Sequence, residues 1–385
     1  MKPPSISIDP SAFWKDPYPA LAQMRANTPI CYVPELDAVL ITKRDDIFRF
    51  EKNVDVFSST QPGGLMTILM GENMMRKSGD PHKLERKQMQ PSVSPTVTAK
   101  TWKSLFESDT HTLLDNLSSI TSCDLVTDYA MPVSANALRR VTGLSNMTPE
   151  QLDASSQGMI DGIANYEGDK QVEARCHEMT ALIDACIDEM LPRVKQHPDC
   201  SLLSTLPGAG QAMESVRANI KLAISGGQNE PRTAIAGTAW ALLNNPDQLD
   251  AIRDGQHRWQ QAFEEYVRWI SPIGMSPRRI ACDYQWSGID FKEGDRAFFM
   301  YGSGNRDESV FDCPELFNID RNTSKAIAFG AGPHFCAGAW VSRCLIGEVA
   351  LPMLFERFPN LRLNGDAEFG GWAFRDLLRM PVRLQ

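Results

Sequence analysis

Apolar positions recur at helical spacing through most of the chain. The pattern predicts helices over residues 20–27, 99–120, 151–163, 170–195, 212–243 and 246–270, with another over 337–356. Pro3, Pro4, Pro10, Pro17 and Pro19 predict an extended lead-in before the first of these. The run CYVPELDAVLITKRDDIFRFE reads as a strand, a turn, a second strand over 38–42 and a helix. After Ile270 prolines, glycines and short β-type runs dominate, and the tail RLNGDAEFGGWAFRDLLRMPVRLQ reads as short strands. Helices outnumber strands, and neither a repeat nor a Gly/Ser linker divides them. The expectation is a mainly α chain of few domains with short strands.

Composition narrows the function classes. With 42% hydrophobic and 23% charged residues in 385, the chain is globular rather than disordered. A formal charge of −9 argues against a nucleic-acid binder. No apolar run approaches the ~18 residues of a membrane span, and the N-terminal stretch lacks the apolar core of a signal peptide. The protein is therefore expected in the cytoplasm, with no membrane and no nucleic acid among its partners. Nine cysteines lie scattered without a CxxC pair, which speaks against a zinc site and for buried thiols plus one with a task.

That cysteine is Cys336, in AFGAGPHFCAGAW. Gly330 and Gly332 permit backbone turns and close approach that a Cβ blocks. Helix entry just after Cys336 would favour a thiolate, suited to a nucleophile or a metal ligand. A cysteine at a helix start is otherwise an ordinary buried thiol. The whole spacing, Phe329-Gly-x-Gly-x-His334-x-Cys336-x-Gly338, resembles the haem-ligand loop of the cytochrome P450 family at every one of these positions. The resemblance implies the cytochrome P450 fold, a helix-rich triangular prism with small β-sheets, as a single mainly α domain over 1–385. It also implies haem b (iron protoporphyrin IX) with Cys336 as the axial thiolate, Phe329 shielding the sulfur and His334 reaching a propionate.

Further segments carry the same likeness. Glu265 and Arg268 lie three apart on a predicted helix, the spacing of an ordinary surface ion pair. By resemblance they join Arg321 of FNIDR in a structural network under the haem. His82 and Arg86 share a helical face, as a solvated basic face also would. The family uses such a pair, with Arg279 of SPRRIA and with His334, to clamp the two haem propionates.

The central helix departs from the family's Ala-Gly-x-acid-Thr segment. Here SGGQNEPR puts Asn229 and Glu230 at the acid and threonine positions. Pro231 lacks an N–H, so the Gly227 carbonyl loses its helical partner and the helix should open locally into a polar groove. Glu230, beside Asn229, becomes the candidate catalytic proton donor; a purely structural role at the kink is its alternative.

The Asn-Glu-Pro pattern, with MYGSGNRD and GGWAFRD, is most similar to a subgroup containing aromatic (guaiacol demethylase-like) O-demethylases. In that likeness Phe374 lines the substrate pocket, while two other aromatic pocket positions fall near Met66 and at Ile163. The aromatic clamp is thus incomplete. The expected reaction is O₂-dependent oxidative O-demethylation of a small methoxy compound, aromatic or sugar, releasing formaldehyde. C–H hydroxylation, N- or S-dealkylation and a non-turnover haem sensor are the alternatives. No flavin, nicotinamide or iron–sulfur motif occurs, so electrons must come from separate ferredoxin and reductase partners. Lys83, Lys87 and Arg343 are the candidate docking charges.

Overall fold

The computed structural model describes residues 1–165 and 168–385. The chain builds two compact units and passes back and forth between them. One comprises Met1–Gln61, Trp240–Cys336 and Ala367–Leu378; the other Pro62–Ala239, Ala337–Asp366 and Arg379–Gln385.

The first unit is organised by a five-stranded sheet. Ile30–Val33 pairs antiparallel with Ala38–Ile41 across a turn that Asp37 makes at φ 44°. Ala38–Ile41 then runs parallel to Arg296–Phe299, whose other edge pairs antiparallel with Ser276–Ile280. Phe57–Ser58 closes the order. All four residues of Ala38–Ile41 are buried because both faces of the sheet are covered, which explains why the strand reads as a continuous apolar run. Val39, Ile41, Phe299, Phe50 and Phe57 pack on one face; Leu40, Phe298, Cys31, Phe13 and Leu21 pack on the other.

The second unit is helical. Its members include Gly79–Val93, Lys103–Leu117, Met131–Thr142, Pro149–Ile163 and Lys170–Gln196. Thr148 and Gln151 form a reciprocal capping box that starts the Pro149–Ile163 helix. Buried polar tips find backbone partners: Tyr129 Oη donates to the Ala350 carbonyl at 2.6 Å and Trp102 Nε1 to that of Ser92 at 2.8 Å. A small sheet places Pro381–Arg383 between Ser122–Asp124 and Arg362–Leu363.

Most of the periodic stretches are helical as expected, with three corrections. The proline-rich opening contains a short helix, Pro10–Lys15, because Asp9 caps it through the N–H groups of Ser11 and Ala12 and Pro10 sits at its first position. The stretch 246–270 is two helices, Pro246–Arg253 and Trp259–Ile270, since Gly255 turns left-handed at φ 75° and ends the first. The stretch 212–243 is likewise two helices, Met213–Ser225 and Asn229–Leu243, separated at Gly226–Gln228.

Candidate active site

In the first unit the chain from Phe329 to Cys336 forms a tight loop. Gly330 and Gly332 adopt φ of 69° and 61°, a region that disfavours any side chain. The Cys336 N–H donates to the Phe329 carbonyl at 2.9 Å and the Phe335 N–H to that of Gly332 at 3.2 Å. Phe329 packs beside Phe263, ring centroids 6.2 Å apart, and beside Phe335 at 6.3 Å. Cys336 and His334 are both half-buried. The helix that follows begins at Ala339 with Gly338 as its cap, three residues beyond the cysteine.

What holds this loop is a buried ionic cluster. Glu265 and Arg268 are fully buried, so they are no surface pair. Arg268 donates to both Glu265 oxygens at 2.8 and 2.7 Å, and to the carbonyls of Asn305, Pro314 and Leu316. Burial pushes the Arg268 pKa down from its ordinary value, against the opposing pull of Glu265. Arg321 Nε adds a third contact, 3.1 Å from Glu265 Oε1, and its guanidinium also donates to the Cys313 carbonyl. From here the hydrogen bonds lead to the loop. Asn305 Oδ1 accepts from the Ile327 N–H at 2.7 Å, and the Ile327 carbonyl accepts from the Gly330 N–H at 2.9 Å. The three residues singled out by spacing are thus brought together, and Asn305, which the sequence reading missed, links them to the cysteine.

Two more candidates lie in this unit. Arg279 is half-exposed on its strand, 4.0 Å from Glu293. Phe374 is half-buried and bridges to Ile273, where Gly274 is obligatory: a Cβ there would stand 1.9 Å from the Trp372 carbonyl oxygen.

The second unit carries the remaining candidates. His82 and Arg86 share a face of the Gly79–Val93 helix, as expected; burial, and then the Arg86 charge, push the His82 pKa below its ordinary value. At the break in the central helix the structure corrects the expectation of an open carbonyl. Ser134 Oγ, on the Met131–Thr142 helix, lies 3.3 Å from the Gly227 carbonyl and donates to that of Gln228 at 2.9 Å. Pro231 falls in the first turn of the new helix, where its missing N–H costs nothing. Gln228 Nε2 and Arg232 Nη1 both donate to Asp153 Oδ1, at 3.0 and 2.7 Å. Asn229 is buried and its amide donates to Gln157 Oε1 at 3.0 Å, while Glu230 is half-buried in the first helical turn. Met66 is buried on the Leu65–Met70 helix, and Ile163 is half-buried at the end of Pro149–Ile163. A Cβ on Gly162 would lie 3.1 Å from Leu69, on the Leu65–Met70 helix, and 2.7 Å from the sulfur of Cys176, on the Lys170–Gln196 helix.

The family model for cytochrome P450 matches residues 259–364, the span holding the Glu265–Arg268 cluster and the cysteine loop. A steroid C26-monooxygenase of Mycolicibacterium smegmatis is similar over 89% of this chain and 86% of its own length, at 28% identity. The biotin-biosynthesis cytochrome P450 of Bacillus subtilis is 25% identical over 97% and 98% of the two chains. The chain is thus similar to cytochromes P450 over nearly its whole length. The fold agrees. P450BioI, crystallised with an acyl carrier protein bearing hexadec-9Z-enoic acid, superposes with a TM-score of 0.89 at 24% identity, over 97% of this chain and all of that one. CYP109E1 from Bacillus megaterium, in complex with testosterone, gives 0.88 at 20% identity, over 96% and 98% of the two chains.

This cytochrome P450 is a monooxygenase, and its cofactor is haem b. The donor chemistry fits that group. A thiol framed by two left-handed glycines suits a soft iron ligand. Among the described residues no helix is long and apolar enough to cross a membrane.

Proposed function

We propose that this cytochrome P450 oxidatively O-demethylates a small methoxy compound, with Cys336 as the residue whose thiolate would hold the haem iron. The observation that carries the ligand assignment is the Phe329–Cys336 loop, with two left-handed glycines and a cysteine whose N–H is tied back at 2.9 Å. Gly338 starts the helix beyond it, Phe329 shields the sulfur, and His82, Arg86, Arg279 and His334 hold the propionates. Haem, when bound, supplies the activation of dioxygen and the insertion of one oxygen atom into a C–H bond. The balance is R–O–CH₃ plus O₂, two electrons and two protons, giving R–O–CH₂OH plus water. The hemiacetal then collapses to R–OH and formaldehyde.

Glu230, in the first turn of the helix that follows the break at Gly226–Gln228, is the chain's proton donor for this balance. Asn229, moored to Gln157, and Ser134, capping the carbonyls, keep the break in register. Phe374, Met66 and Ile163 are the substrate-facing candidates. The close packing of the Leu65–Met70 helix on Pro149–Ile163 supports a small substrate. The interleaving of the two units along the chain supports a single folding domain over residues 1–385. Electrons arrive from a separate ferredoxin and reductase. Lys83 and Lys87 are exposed, Lys83 paired with Asp80 at 3.1 Å, while Arg343 lies over Trp340; these are the docking charges.

The reduced carbon-monoxide complex should show the red-shifted Soret band of thiolate ligation, and Cys336→His should abolish it. Persistence of that band in Cys336→Ser would refute the ligand assignment. With a surrogate ferredoxin and reductase, methoxyaromatic and methoxy-sugar panels should release formaldehyde in step with NADH consumption. Turnover confined to steroids, epothilones or a fatty acid on an acyl carrier protein, as in the similar steroid C26-monooxygenase, epothilone C/D epoxidase and P450BioI complex, would replace the demethylase reading with C–H hydroxylation or epoxidation.

A further inference from the structure

Against the two glycines of the cysteine loop lies a buried polar cluster that takes no part in the proposed chemistry. Glu51 ends the Arg44–Phe50 helix and is 1% exposed; Arg278 and Tyr301 are each 4% exposed. Tyr301 Oη donates to Glu51 Oε1, and Arg278 Nη2 donates to Glu51 Oε2 at 2.9 Å. Arg278 also donates to Ser276 Oγ and to the Pro277 carbonyl. A buried carboxylate is costly unless its lone pairs are filled, and here a cation and a phenol fill them. Burial, and then the Glu51 charge, push the Tyr301 hydroxyl pKa up, so the phenol remains a donor.

The cluster bears directly on the loop. A Cβ on Gly332 would stand 2.8 Å from the Glu51 carbonyl oxygen, and one on Gly330 would stand 3.4 Å from Tyr301 Oη. The loop's remaining backbone bonds are short-range: Gly330 to Ile327, Phe335 to Gly332 and Cys336 to Phe329. Such bonds set the loop's shape but not its seat on the sheet. Asn305 holds the chain just before the loop, and Glu51 and Tyr301 pack directly against its two glycines.

We infer that Glu51, Arg278 and Tyr301 form a positioning platform that holds the Gly330–Gly332 backbone, and through it Cys336, in its ligating conformation. The inference rests on Cys336 being the haem ligand. Tyr301→Phe removes one hydroxyl and keeps the ring. A hydrogen bond to a buried charge restrains opening by roughly 10- to 100-fold. In the haem-free protein, hydrogen exchange of the 330–336 amides should therefore rise about tenfold or more. The amides of Trp259–Ile270 should not change. In the haem-loaded variant, mild warming should convert the red-shifted carbon-monoxide band to the unshifted form faster by a similar factor. Glu51→Gln, which keeps the size and removes the charge facing Arg278, should act in the same direction. Unchanged exchange at 330–336 in both variants overturns the platform, as does a uniform rise across the whole unit. Failure of the ligand assignment looks different: wild type would lack the red-shifted band, or Cys336→Ser would retain it.

Discussion

Replacing Arg268 with lysine keeps the charge and most of the volume, so it isolates what the guanidinium fork contributes. Arg268 makes five hydrogen bonds, two to Glu265 and one each to Asn305, Pro314 and Leu316. An ammonium offers three donors at one point and cannot reach a carboxylate and three carbonyls that surround a planar group. At least two buried acceptors lose their donors, at ~1–3 kcal/mol each. The Glu265 pair also loses its two-pronged geometry, and breaking a buried pair outright costs ~3–5 kcal/mol. The expected loss is therefore about 3–5 kcal/mol, a large part of the ~5–15 kcal/mol that holds a domain folded. Urea unfolding of haem-free wild type and Arg268→Lys, followed by tryptophan fluorescence, measures it from the midpoint and slope. A loss below about 1 kcal/mol with an unchanged slope would refute the claim that the carbonyls depend on the fork.

Glu230→Gln removes an ionisable proton carrier while keeping its shape. Product formation should fall by ~10²–10⁴ and hydrogen peroxide should rise per NADH, with haem content and melting temperature unchanged; an unaltered product-to-NADH ratio in fully loaded variant contradicts it. His82 is held below its ordinary pKa by burial and Arg86, so the unfolded chain takes up the proton first. Stability of the haem-free protein should be complete above pH ~6.5 and decline below it, and His82→Asn should flatten that decline in a pH series of urea titrations. Burial pushes the Cys31 and Cys123 thiols up to about 12, and those of Cys176 and Cys344 up to about 11, whereas Cys282 and Cys313 are exposed. Iodoacetamide at pH 8 should label Cys282 and Cys313 well before the other four in a peptide map; early labelling of Cys31 or Cys344 would contradict the burial argument.

Legibility followed sequence distance. The Gly330–Cys336 loop was readable because its shape is made by neighbours: glycines that turn left-handed and a cysteine bonded back seven residues. Glu265 and Arg268 were readable as a pair because helical geometry puts residues three apart on one face. Their burial was not, since it depends on carbonyls at 305, 314 and 316. The break at Gly226–Gln228 hid within an unbroken apolar rhythm, and the group capping it, Ser134, is 93 positions away from Gly227. Glu51, Arg278 and Tyr301 gave no local signal at all, their partners being 227 and 250 positions apart. The second break, after Arg253, has a local signal in Gly255, but the apolar positions of Trp259–Ile270 continue the helical rhythm beyond it.

The strand pairings also set an order of assembly. Ala38–Ile41 waits for Arg296–Phe299, and Ser122–Asp124 waits for Pro381–Arg383, so neither sheet can close while the intervening chain is still being synthesised. Closing contacts so far apart is slow, and an early helix such as Lys103–Leu117, whose partners include Arg343–Ala350 and Leu351–Arg357, must stand with part of its apolar face uncovered meanwhile. The cysteine loop, packed against Glu51 from one end of that interval and Tyr301 from the other, finds its place late. Partly made chains would therefore be exposed to proteases and chaperones before they could retain a cofactor, and cellular yield should respond more steeply to synthesis temperature than the finished protein's stability does.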